Sequence, residues 1–299
     1  MAGERHILVT GGAGQLGLAL ARAAWPRDVV LRTPPRDELD LADPASIRGV
    51  LDSRPWAAVI NSGAYTAVDK AEGDLAAAFA VNAMAPAVLA EGARALGVPI
   101  IQISTDYVFD GSKSGPYVED DPVGPLGVYG ASKLAGELAV RTSGARHVIL
   151  RTAWVLSPDR ANFLKTMLRL AETRPELGVV ADQRGCPSST DDIAAAVAAV
   201  ATRLMDEAEA PTGVYHFVNA GEASWAELAR EIFALSAARG GPGAEVRSIA
   251  TADYPTPARR PANSVLATAK ITRDFGVQPR PWRKAVGEII DTLLGEKAA

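Results

Sequence analysis

One cysteine, Cys186, stands in the 299 residues, so no internal disulfide can form, and a reducing compartment is the simple inference. Histidine is almost as scarce. His6, His147 and His216 sit in or beside strand-like runs without metal-ligand spacing, and no bound metal is expected. No apolar run approaches the roughly 18 residues that span a bilayer. The opening "MAGERHILVTGG" passes straight into a strand pattern, which speaks against a signal peptide. Basic residues do not exceed acidic ones (31 Lys and Arg against 35 Asp and Glu, formal charge −4), so there is no electrostatic case for nucleic acid or an anionic membrane as partner. Internal repeats and low-complexity tracts are missing as well. What is left is a globular, cytoplasmic protein with a small-molecule partner, long enough for one large domain or two unequal ones.

The chain alternates short apolar runs with helical stretches. "RHILVT" (5–10) meets glycines and is followed by "QLGLALARAAW" (15–25). "DVVLRT" (28–33) precedes "DPASIRGVLDSR" (43–54), where Asp43 and Pro44 suit the cap and first position of a helix. "AAVINSG", "VPIIQIST" and "HVILRT" continue the series, and Pro86 should kink or break the Ala-rich helix between the first two. Continuously apolar strands alternating with helices predict an α/β fold, a doubly wound parallel sheet covered on both faces. The expected organisation is a Rossmann-like dinucleotide-binding domain over residues 1–152, with 190–220 returning to it. Residues 153–189 and 221–299 would form a second, smaller α/β substrate domain.

"TGGAGQLG" places Gly11, Gly14 and Gly17 between the first strand and the first helix. Glycines there permit a tight turn and let the backbone approach a pyrophosphate at the helix N-terminus. An NAD-binding chain normally ends its second strand on an acid that receives the ribose hydroxyls. Here the segment reads "LRTPPR", and Arg32 with Arg36 suits a 2′-phosphate. NADPH is therefore the expected cofactor, with NADH as the alternative. In "VYGASK", Tyr129 and Lys133 lie four apart, one above the other on a helix face. A neighbouring ammonium should lower the pKa of the phenol and make it a usable general acid.

These motifs, with "NSGAYTAVDKAE", "STDYVFDG" and "VYGASKLAGE" in order, resemble the extended short-chain dehydrogenase/reductases. Further stretches ("RTAWVL", "NFLKTMLRLA", "DQRGCPSS", "GVYHFVNAGEASW", "YPTPARRPANS") carry a narrower likeness to those members that reduce nucleotide-linked 4-keto-6-deoxysugars. The resemblance implies reduction of the 4-keto group of dTDP-4-dehydro-β-L-rhamnose to dTDP-β-L-rhamnose, a precursor of cell-surface polysaccharide. It makes Tyr129 the proton donor, Lys133 the residue holding the nicotinamide ribose, and Thr105 the hydroxyl that completes the set. Asp106 is similar to a substrate-contacting neighbour, and Val68 and Trp154 match positions lining the sugar pocket. Gly14, Gln15 and Leu16 match the pyrophosphate turn, Asp40 and Leu41 the adenine edge, and Gly63, Ala64 and Tyr65 the cofactor-facing loop. Some relatives carry histidine where Tyr65 stands. Some join their dimer through a metal held by glutamates; Ala19 occupies one of those places, so that metal is not expected, and a homodimer is left open.

Plainer readings stand beside these. Thr105 and Asp106 suit a turn cap, Trp154 and Trp225 a packed core, and Lys165 a solvated helix face. The "TPARRP" arginines fit a diphosphate or an exposed loop equally well. Three functional alternatives also remain open: a reductase of another nucleotide-4-keto-6-deoxysugar, a non-catalytic NADP-binding subunit like the regulatory partner of methionine adenosyltransferase, and a dehydratase or epimerase.

Overall fold

The computed structural model describes residues 3–298. Its centre is a six-stranded sheet built from β1 (Arg5–Thr10), β2 (Val29–Arg32), β3 (Ala58–Asn61), β4 (Ile100–Thr105), β5 (His147–Thr152) and the strand Gly213–His216. Across the sheet the order is Gly213–His216, β5, β4, β3, β1, β2, and every pairing is parallel. All residues of β3 and β4 are buried, as a sheet covered on both faces requires. On one face the helices Gln15–Arg22 and Thr190–Asp206 pack through Leu20, Ile193 and Val197 against Ile7, Val9 and Ile60. On the other, Pro44–Asp52, Ala85–Leu96 and Val128–Thr142 contribute Ile47, Leu89 and Val140 against Leu8, Val59 and Ile100. The chain leaves β1 toward β2 on one side and reaches β3 on the other. That reversal opens a crevice at the carboxyl ends of the strands, the usual ligand position in such sheets.

The Ala-rich stretch 75–96 does break near Pro86, by a π-helical turn. Leu75–Phe79 is α-helical, Ala80–Met84 is π-helical, and α-helix resumes over Ala85–Leu96. Proline has no N–H to give the carbonyl four residues back, that of Asn82, and an added residue accommodates the gap. The whole stretch, 22 residues with a mean hydropathy of 1.5 over an 18-residue window, is longer and more apolar than the sequence reading allowed. Its apolar face is taken by the sheet: Ala85, Val88, Leu89 and Ala93 lie in the core with Val59 and Ile100.

A second apolar cluster gathers Leu164, Leu168, Leu177, Ile232, Trp282 and Ile290. It is formed by the helices Phe163–Ala171, Trp225–Ala237 and Trp282–Ala298 with the parallel strands Glu176–Val180 and Glu245–Ile249. Ser224 caps the helix Trp225–Ala237 in a capping box, with Glu227 as its acidic partner.

Candidate active site

The glycine turn is shaped by close backbone approach. Gly11 has φ of 69°, and a Cβ there would stand 2.6 Å from Cα of Gly63. A Cβ on Gly17 would stand 2.3 Å from the Gly11 carbonyl oxygen. Neither position admits a larger residue. The Gly14 N–H donates to the Gly11 oxygen at 2.9 Å, and Gly14 caps the first helix with no side-chain bond and no acid in the first turn. The N–H groups of that turn are thus free for an anion, and no carboxylate competes with it. Thr10, Asn61 and Gln102 tie the ends of β1, β3 and β4 together: Thr10 Oγ1 donates to Asn61, and Asn61 Nδ2 to Gln102 at 2.7 Å. Thr10 Oγ1 also receives the Gly63 N–H at 3.0 Å, which fixes the loop that follows β3.

The crevice above these strand ends has a volume of about 1060 Å³. That is room for an extended dinucleotide and a sugar beside it, at the upper end for small-molecule sites. The glycine turn, Asp40, Leu41, Gly63, Ala64, Tyr65, Val68, Thr105, Asp106, Tyr129, Lys133 and Trp154 all line it. Arg32 does not. The last residue of β2 is exposed outside the crevice, and Thr33 to Arg36 form the rim. Arg36, with a side chain 86% exposed and only loosely paired to Asp40 at 3.9 Å, is the arginine on that rim.

Tyr129 and Lys133 face the crevice from the helix Val128–Thr142, below the end of β4. Lys133 is 4% exposed, and its Nζ donates to the carbonyl of Ile103 at 2.7 Å. Burial lowers its pKa to about 8, against the opposing pull of Glu137 one turn on. The expected lowering of the tyrosine is not what the structure contains. Burial pushes the Tyr129 phenol up to about 12 and the Asp106 charge adds to this, while a hydrogen bond with Thr105 works the other way. The lysine ammonium is turned to the Ile103 carbonyl and does not offset that desolvation. Tyr129 therefore holds its proton at neutral pH.

Thr105 caps the turn after β4, as the plainer reading expects, and lines the crevice. Its Oγ1 accepts the Tyr107 N–H at 3.2 Å as the cap of the turn Asp106–Val108, and donates to Asp106 Oδ1 at 2.9 Å. Asp106 is 2% exposed, its Oδ2 has no hydrogen-bond partner among the described residues, and burial raises its pKa to about 6. Trp154 likewise is both pocket and core. It lines the crevice and stacks on Trp225 with ring centroids 3.5 Å apart, in a backbone conformation of φ 45°. Gly185 lies so close beneath that a Cβ would stand 2.3 Å from the indole.

Beneath the helix, Arg151 is bound by both oxygens of Glu137, and Ser104 donates to the same carboxylate. His216 lies beside Arg151, and burial lowers its pKa to about 3, so it is neutral there. Cys186 is buried with its thiol pushed up to about 12, an unreactive setting. In "TPARRP" the two arginines separate: Arg260 pairs with Asp69 at 2.8 Å, and Arg259 is exposed. Lys165 reaches back to the Pro158 carbonyl at 2.6 Å.

Two features escaped the sequence reading, one lining the crevice and one buried behind it. Tyr107 meets the Tyr129 ring edge-on with centroids 5.5 Å apart. Asn82, in the π-helical turn, holds the Tyr65 peptide from both sides: its Oδ1 accepts the N–H at 2.8 Å and its Nδ2 donates to the carbonyl at 3.0 Å. A lone amide inside an Ala-rich helix was the available signal.

Fold and crevice together define a dinucleotide-dependent reductase of the extended short-chain type. Residues 5–294 match the family model described as the RmlD substrate binding domain, and the chain belongs to that family. It is 46% identical over 292 residues to a dTDP-4-dehydrorhamnose reductase of Sinorhizobium fredii, covering 97% of this chain and 98% of the relative. A crystal structure of such a reductase from Clostridium acetobutylicum superposes with a TM-score of 0.90 at 37% identity, over 97% of this chain and 99% of the other. Another, from Bacillus anthracis in complex with NADP, gives 0.88 at 30% identity, with the same coverage.

Proposed function

We propose that this chain reduces the 4-keto group of dTDP-4-dehydro-β-L-rhamnose with NADPH, giving dTDP-β-L-rhamnose. The observation that carries the reading is the convergence of Tyr129, Lys133 and Thr105 at the mouth of the glycine-turn crevice. The cofactor fits the cradle: only glycine is admitted at 11 and 17, and the first-turn N–H groups of the helix Gln15–Arg22 have no competing acid. When bound, NADPH supplies the hydride. The chain supplies position and a proton.

Hydride delivery to the ketone carbon builds negative charge on its oxygen, and donors preorganised around that oxygen lower the barrier. Tyr129, protonated at neutral pH, gives its phenolic proton there, so ketone, hydride and proton become the secondary alcohol. The Thr105 hydroxyl, whose proton is given to Asp106 in this structure, would turn it to the phenolate that remains. Lys133, held by Ile103, would take the nicotinamide ribose and keep a positive charge next to that phenolate. Asp106, Val68 and the Trp154 ring would hold the sugar, and Arg36 the 2′-phosphate. We assign the cluster over 153–189 and 221–299 to the nucleotide sugar and place the reaction in the cytoplasm, the latter resting on a lone buried thiol.

The test is to supply dTDP-4-dehydrorhamnose, follow NADPH consumption, and identify the sugar by NMR. Tight NADPH binding without oxidation would favour the non-catalytic reading. Oxidation with another 4-keto sugar only would move the substrate.

A further inference from the structure

Among the described residues, two that are not glycine have positive φ, and both stand near the crevice: Trp154, which lines it, and Arg160 at 55°. An L-residue is disfavoured in that conformation, so something must hold it there. Arg160 belongs to the segment 157–162, which joins the strand Val155–Leu156 to the helix Phe163–Ala171. This segment is fastened at two points to the glycine turn and at a third to the far end of the helix that the turn opens. Arg160 Nε donates to the Ala13 carbonyl at 2.8 Å, Asn162 Nδ2 donates to Gln15 Oε1 at 3.1 Å, and Asp159 accepts from Arg22 at 2.7 Å.

The first of these contacts acts on a single peptide plane. The Ala13–Gly14 peptide has its carbonyl held by Arg160 and its N–H held by the Gly11 oxygen at 2.9 Å. A peptide is planar, so fixing both ends fixes its rotation and with it the exit of the chain into the helix Gln15–Arg22. The neighbouring Gln15 side chain is held by Asn162, whose own Oδ1 caps the next helix through the Lys165 N–H. The turn is thus gripped on both sides of Gly14, by a cation at the lip of an anion site.

We propose that Arg160 is a positioning residue for the cofactor diphosphate: it holds the glycine turn in its binding shape, and its left-handed backbone is tolerated for that contact. The inference rests on the NADPH reading above. It assigns Arg160 to the part that NADPH and NADH share, in contrast to Arg36 at the 2′-phosphate.

The experiment titrates the full chain, without sugar, with NADPH and with NADH, and records its thermal midpoint without cofactor, for wild type, Arg160→Ala and Arg160→Gly. Both variants should weaken NADPH and NADH by one common factor, about fivefold to tenfold, leaving the ratio of the two affinities unchanged. Arg160→Gly, which removes the strain along with the contact, should melt above Arg160→Ala while binding no better. A merely structural arginine would move stability and affinity together. NADPH affinity within about twofold of wild type in both variants overturns the proposal, and so does a changed NADPH-to-NADH ratio. If wild type binds neither dinucleotide, the cofactor reading falls and takes this one with it.

Discussion

Glu137 and Arg151 form a bidentate ion pair at 2.9 and 2.7 Å, with both side chains at most 2% exposed, one helical turn beyond Lys133. Breaking such a pair from one side leaves an uncompensated buried charge. Glu137→Gln should cost about 3 to 5 kcal/mol of stability, read as a lowered denaturant midpoint. A loss below about 1 kcal/mol would show that Arg151 finds another partner.

Lys133 should set the alkaline limit of turnover. With a pKa of about 8, its ammonium is present at neutral pH and lost above. The kcat/KM profile of the cofactor-limited reaction should fall above about pH 8, well before the Tyr129 phenol at about 12 titrates. A profile flat to pH 10 would remove Lys133 as a charge-bearing group.

Tyr129→Phe removes the transferable proton and little else. Its kcat should fall by about 10² to 10⁴ while NADPH affinity is retained, measured by steady-state kinetics and titration. Turnover near the wild-type rate would refute the role of the phenol.

Arg36 rather than Arg32 should govern cofactor choice. Arg36→Ala is expected to shrink the preference for NADPH over NADH about tenfold, and Arg32→Ala to leave it nearly unchanged. The reverse pattern would mean that the rim closes differently around the nucleotide.

Asp106 costs stability at neutral pH. Its folded-state pKa, about 6, lies above its ordinary value of 3.8, so the native state binds the proton more tightly than the unfolded chain. The stability is complete below about pH 4 and is lost as pH rises through 6. Asp106→Asn should therefore raise the unfolding free energy at pH 7 by about 2 to 3 kcal/mol, read by denaturant titration, and gain nothing at pH 4. Equal gains at both pH values would point to packing instead of charge.

Much of the fold was legible because period and composition agree along its first half. β3 and β4 read as unbroken apolar runs because both faces are covered. The glycine turn was legible because sterics at 11 and 17 leave no other residue type. Which arginine serves the rim was not, since Arg32 and Arg36 differ only in how the turn after β2 delivers them. Nor was the high pKa of Tyr129, because spacing reports a neighbour and says nothing of the solvent stripped from the phenol. Asn82 was hidden for a third reason: its partner, the Tyr65 peptide, lies 17 positions away, and only the widened helical turn brings the two together.

That widened turn acts as a phase shifter. The surplus residue in Ala80–Met84 rotates everything before it relative to everything after, so Asn82 looks toward the Tyr65 loop while Val88 and Leu89 still look into the core. Gly136 is its counterpart on the facing helix, where a Cβ would stand 2.1 Å from the Asn82 carbonyl oxygen. Excising a single alanine from the turn would straighten the helix and leave its outer half intact. It would also swing the amide away and let the strip of backbone that carries Tyr65 drift from its place in the crevice wall.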